Sequence, residues 1–266
     1  MLRVLRKWKR GTHMRREEIL VLANGLYEQA LFAQTYFDFI KQYHKFSQSS
    51  QYLLEMNFSP CFYQFSYSAW VRALHMELAK MYEDDDNHNT IKKLLGELKN
   101  INPEQDFRGS ALERFKKDET VYFPISPTDI KLFSPSCRQQ YIMFETSTSK
   151  TIDTQISYQE CVQFFTKKFR SISRHRESLR ENRNQFYAHN SAEIQFDIEK
   201  INKNHQMQFK NIQALIDYAM QITRFTVGVL TDVSKPTEYA KWYDWEATLI
   251  LARDGYNFSR QENCPH

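Results

Sequence analysis

The chain has 266 residues, long enough for one large domain or two small ones, and a chain of this length can bury about 70–75% of its unfolded surface without disulfides or metals. Apolar residues make up 41% and charged residues 26%, which excludes a disordered chain, and no run approaches the ~18 apolar residues of a membrane-spanning helix. Six glycines and seven prolines are too few for a sandwich or barrel of many tight turns, and an aromatic share of 15% means a core built on rings.

The formal charge of +4 is concentrated at one end. Arg3, Arg6, Lys7, Lys9 and Arg10 fall within residues 1–13 with no acid among them, and the remainder holds 31 basic against 32 acidic residues. A nucleic-acid site therefore has to be a local patch rather than a basic coat. Gly11-Thr12-His13-Met14 has the look of a vector junction, so residues 1–13 are read as a tag or disordered leader and kept out of the fold. Cys61, Cys137, Cys161 and Cys264 are scattered without a C-x-x-C pair, and no apolar secretory run precedes them. They read as reduced thiols of a cytoplasmic protein.

Helical periodicity runs through most of the chain. Ile19, Leu22, Leu26, Ala30, Ala33, Phe37 and Ile40 step by three or four along one face, with Gly25 inside that helix as a site for close packing. Pro60 precedes a second stripe of Tyr67, Val71, Leu74, Leu78 and Met81. The acidic run Glu83-Asp84-Asp85-Asp86 reads as a solvated turn, and Ile91, Leu94, Leu95, Leu98 and Ile101 make a short third helix ended by Pro103. Residues 103–156, punctuated by Pro103, Pro124, Pro127 and Pro135, read as an irregular insertion with one short helix over 111–117. Long helices follow over residues 158–187 and 207–230, the latter with Ile212, Leu215, Ala219, Ile222, Phe225 and Val229 on one face. Beyond Pro236 a last helix is expected over 239–252. The predicted fold is all-α, an antiparallel helical bundle spanning residues 14–235 with a long central insertion, followed by a C-terminal helix and tail over 236–266.

The helix over 158–187 carries the most informative pattern. Phe165, Phe169, Ile172, Arg176, Leu179, Arg183 and Phe186 step 4, 3, 4, 3, 4, 3, a heptad-like seam with arginine in two of its seven seats. An unpaired buried charge is costly. Either the stripe leaves the core after Ile172, or this face lines a polar cavity or a symmetric interface that holds an anion. Arg180, four residues after Arg176 and three before Arg183, adds a third guanidinium to the same side. Carboxylates from Glu177 and Glu181, or phosphates, would relieve their repulsion.

The same helix ends in Arg183-Asn184-Gln185-Phe186-Tyr187-Ala188-His189. This string resembles the R-x(4–6)-H signature of the HEPN superfamily (higher eukaryotes and prokaryotes nucleotide-binding). A second stretch, Ala73-Leu-His-Met-Glu-Leu-Ala-Lys-Met-Tyr-Glu-Asp-Asp-Asp86 followed by Thr90-Ile-Lys-Lys-Leu-Leu95, resembles the abortive-infection AbiU-type branch of that superfamily, in the same order along the chain. The resemblance covers roughly residues 17–230. It implies a HEPN-like bundle and a metal-independent endoribonuclease without a cofactor, acting as a toxin or antiphage effector. It further implies homodimers that bring two copies of the motif into one cleft, and an antitoxin or defence-system partner.

The chemistry suits those residue types. An RNA 2′-hydroxyl attacks the adjacent phosphorus when a base takes its proton, an acid protonates the departing 5′-oxygen and a cation holds the phosphate. His189 is the proton carrier and Arg183 the bidentate phosphate ligand. Asn184 is a further hydrogen-bonding candidate, and Arg176, Arg180 and Tyr187 are the candidate RNA contacts. Six residues of continuous helix would leave Arg183 and His189 about 120° apart, so the helix is expected to end before His189. Two other readings remain open: a non-catalytic dimer that binds RNA, nucleotide or a partner protein, and a metal-dependent nuclease built on Asp84, Asp85, Asp86 and His88.

Overall fold

The computed structural model describes residues 14–48, 52–84, 88–125, 127–132, 141–145, 150–183, 208–236 and 244–262. The leader and the link over 194–201 lie outside them. Helix α1 (Arg16–Ser47) buries Ile19, Leu22, Leu26, Ala30, Ala33, Phe37 and Ile40, the face the sequence predicts. Glu17 and Glu18 occupy its first turn and Lys45 its last, each sign complementing the helix dipole. Gly25 does not mark a close approach, because nothing lies within 4 Å of where a Cβ would stand. After the short α2 (Leu53–Asn57), Pro60 opens α3 (Pro60–Met81), where its missing N–H is harmless. Helix α4 (Ile91–Leu98) starts at Thr90, whose hydroxyl accepts from the Lys93 N–H at 3.3 Å.

Among the described residues, 103–156 are largely regular rather than an irregular insertion. They hold α5 (Pro103–Asp106), α6 (Gly109–Asp118) and three strands, β1 (Thr120–Ile125), β2 (Tyr141–Glu145) and β3 (Lys150–Ser157). The strands form an antiparallel sheet in the order β1–β3–β2, with Val121 opposite Ile156. Pro124 fits because β1 is an edge strand. Strand β3 runs directly into α7 (Tyr158–Ser171) through a capping box, in which Ser157 and Glu160 satisfy each other's backbone N–H groups. The fold is thus mostly helical with a small sheet.

The long helix expected over 158–187 breaks at Ile172, which separates α7 from α8 (Ser173–Asn182). There the Ser171 hydroxyl donates to the Lys168 carbonyl at 2.7 Å, a bond that competes with helix continuation, and the Ile172 side chain is buried. Helix α9 (Phe209–Thr231) is the central element, buried along its length from Ile212 to Leu230. Its Thr223 and Thr226 hydroxyls donate back to the Ala219 and Ile222 carbonyls, which satisfies them inside the core. Three buried tyrosines tie the layers together. Tyr82 donates to the Leu215 carbonyl at 2.6 Å, Tyr218 to Phe165 at 2.9 Å and Tyr158 to Leu98 at 2.6 Å. Burial pushes all three phenols far above their ordinary range, so each stays a donor.

The last described helix, α10 (Asp244–Glu262), runs ten residues past the end expected at 252, while 239–243 lie outside the described residues. Its Leu249 packs on a satellite cluster of Phe46, Tyr52, Met56 and Tyr63. Arg253 bonds the buried carboxylate of Glu55, and Glu246 accepts from Tyr52 at 2.7 Å. No described helix is long and apolar enough to cross a membrane.

The open space at Gly25 gives a direct expectation. Gly25→Ala should stabilise the protein by about 0.5–1 kcal/mol through helix propensity alone. A urea titration should show a higher midpoint at unchanged slope; a lower midpoint would mean that the position needs its glycine.

Candidate functional site

The heptad-like seam divides at the break. Phe165 and Ile172 are buried and Phe169 is half-buried, all within the protomer's own core. Phe165 lies edge-on to Tyr218 and against Phe225, while Phe169 packs on Tyr82 and Tyr218. These three side chains are therefore not available to join two copies, contrary to the reading of the seam as an interface.

Past Ile172 the seam turns outward. On α8 only Leu179 and Asn182 are buried, and the remaining seats bring Arg176, Arg180 and Arg183 to one concave surface. That surface is a cavity of about 110 Å³ between α8 and the end of α3, where Ala79, Tyr82, Glu83 and Asp84 form the opposite wall. The arginines predicted to act together thus do meet. Asn184, Tyr187 and His189 lie outside the described residues.

Each guanidinium is held differently. Arg176 stands over the Phe169 ring, its central carbon 3.8 Å from the centroid. Its Nε is buried without an acceptor among the described residues. Its charge reaches the phenols of Tyr82 and Tyr218, where it opposes the upward push of burial. Arg183 Nη1 donates to Glu83 Oε1 at 2.7 Å, and both side chains are about 30% exposed, at 28% and 30%. Arg180, mostly exposed, stands 3.9 Å from Asp84.

The acidic run is therefore not simply a solvated turn. Among the described residues the carboxylates paired with the arginines are Glu83 and Asp84, from the segment just past α3 and about 100 residues away in sequence, rather than Glu177 and Glu181. Two further side chains join them: the Lys92 ammonium lies 3.6 Å from Asp84, and His88 Nδ1 lies 3.6 Å from Glu83 Oε2. Glu83 and His88 are site residues that motif reading passes over. The only sequence signal for them is the excess of cations on α8 over nearby acids.

The metal-nuclease reading draws no geometric support from Asp84, whose carboxylate is occupied by Lys92 and Arg180. Among the described residues no group of three or more His, Cys, Asp or Glu side chains converges, while Asp85 and Asp86 lie outside them. His75 is half-buried on α3, where its Nδ1–H donates to the Val71 carbonyl at 2.8 Å and burial lowers its pKa. It is structural rather than part of the cavity.

Comparison with protein-family models gives no match, and no curated protein and no solved structure matches the chain. The geometry describes a concave surface of three arginines and three carboxylates, with one arginine paired to a carboxylate and one buried guanidinium nitrogen that has no acceptor among the described residues. Planar guanidiniums favour phosphate or carboxylate oxygens as partners.

Arg176 separates binding from stability. Arg176→Met keeps a side chain over Phe169 and removes the buried donor, so the losses and gains nearly cancel. The unfolding free energy from a urea titration should change by no more than about 1 kcal/mol while affinity for RNA falls. A large loss of stability with unchanged affinity would make Arg176 a purely structural residue.

Proposed function

We propose that this protein is a metal-independent endoribonuclease of the HEPN type, similar to the AbiU branch, acting on RNA in the cytoplasm as a toxin or antiphage effector. The reading rests on one observation: Arg183, first residue of the Arg183-to-His189 motif, lines the same concave surface as Arg176 and Arg180. In this reading the arginines hold the phosphate and His189 takes the proton of the attacking 2′-hydroxyl. The O2′–P bond forms, the P–O5′ bond breaks, and the departing 5′-oxygen receives a proton. One imidazole cannot easily serve both proton steps at once, so two copies of the motif sharing a cleft would divide them. Glu83 is a positioning residue, since it holds one edge of the Arg183 fork. No cofactor takes part. An antitoxin or another defence protein would control the site.

A second reading has its own support. The Arg183–Glu83 ion pair already gives the guanidinium a carboxylate, as suits a module that binds RNA, nucleotide or protein without cutting.

The two readings differ in a single experiment. Purified protein given total cellular RNA or tRNA with a chelator should leave 2′,3′-cyclic phosphate and 5′-hydroxyl ends, and DNA should survive. His189→Ala should abolish cutting with the fold intact. Arg183→Lys should lower it by ~10²–10³, because a point charge does not replace the fork. RNA binding without any cleavage would favour the binding module. Cleavage that requires a divalent ion and tolerates His189→Ala would overturn both.

A further inference from the structure

Helix α3 has two apolar faces, and only one is used. Its inner face carries Tyr63, Leu74, Leu78 and Met81 into the core. On the outer face Phe62, Phe65, Ala69, Arg72 and Met76 step 3, 4, 3, 4 and are all exposed. Phe62 is 65% and Phe65 76% exposed, unusual for phenylalanine, and Met76 is 39% exposed. This spacing is that of a helix-pairing seam.

We propose that the outer face of α3 pairs with the same face of a second copy of this chain, in antiparallel orientation. The occupant is argued from the seam's own chemistry. Its first half is aromatic, with Phe62 and Phe65; its second half holds a guanidinium and a thioether, Arg72 and Met76; Ala69 sits between them. An antiparallel pair sets each copy's rings against the other's cation and sulfur, both favourable partners for an aromatic face or edge. The small Ala69 allows close approach at the centre. A parallel pair would instead set Arg72 against Arg72 and rings against rings. One surface complementary to itself is what a two-fold contact requires.

The area is sufficient. Two phenyl side chains of about 200 Å² each, largely exposed, with Ala69, Arg72 and Met76 beside them, offer on the order of 500 Å² per chain. Pairing would remove about 1,000 Å² in total, the lower bound for a specific interface.

The contact goes beyond the proposed activity and does not depend on it. Glu83 lies 14 residues beyond Ala69, so an antiparallel pair leaves the two arginine cavities roughly 40 Å apart and open. A cleft shared between two motifs would use a different surface.

Sedimentation of the full chain across the micromolar range tests the pairing. Phe62→Glu should halve the mass of the main species relative to wild type, whatever else associates, with helical circular dichroism unchanged because Phe62 is outside the core. Arg72→Glu should act in the same direction, and Arg72→Lys should retain association. Equal masses for wild type and Phe62→Glu would overturn the proposal. Orientation has its own test in a chain with Cys137 and Cys264 replaced by Ser. A short bifunctional maleimide should join two copies of Ala69→Cys. It should not join two copies through the exposed Cys61 alone, since antiparallel pairing holds those thiols roughly 20 Å apart or more. Crosslinking through Cys61 would refute the antiparallel arrangement.

Discussion

Three guanidiniums on one side of a ten-residue helix repel one another, and the arrangement around α8 follows from how that repulsion is relieved. The relief is long-range. Helix α3 runs along the core so that the segment just past its C-terminus delivers Glu83 and Asp84 opposite Arg183 and Arg180. The end of α3 is fixed in turn by Tyr82, whose buried hydroxyl must find an acceptor and finds it on central helix α9. One polar obligation inside the core therefore sets the position of the carboxylates outside it.

The formal charges of the lining balance, and the placement of the pairs rather than an excess of charge sets the character of the surface. Three arginines and three carboxylates, Glu83, Asp84 and Glu177, line the cavity, and the ion pairs join Arg183 to Glu83 and Arg180 to Asp84, with Lys92 beside Asp84. Arg176 stands over Phe169 with a buried Nε lacking an acceptor among the described residues. A buried donor without a partner destabilises a fold unless a ligand supplies the acceptor. The half-exposed Arg183–Glu83 pair contributes little to stability, on the order of 1 kcal/mol or less, so orientation is the larger consequence of holding that guanidinium.

Where the chain was legible, periodicity did the reading. The stripes of α1 and α9 lie in the core as predicted, because amphipathic helices show their buried face in spacing alone. The sheet was hidden. Its strands are short, one carries Pro124, and their pairing depends on partners such as Val121 and Ile156, 35 residues apart. The capping box at Ser157 was a local sign that a helix starts there and something else ends. The heptad count misled at Ile172 because spacing does not show a break that a side-chain hydroxyl and tertiary packing impose. The arginine cluster was legible; Glu83 was not, since no local rule links residues 100 positions apart.

The central claim is that Glu83 orients Arg183 toward a phosphate rather than merely neutralising it. Single-turnover cleavage at saturating RNA, measured beside RNA affinity for Glu83→Gln, tests this most directly. Loss of orientation should slow the chemical step on the order of ten- to hundredfold. Affinity should hold or tighten, because a negative charge next to the phosphate is gone. Unchanged turnover, or turnover and affinity falling together, would contradict the account.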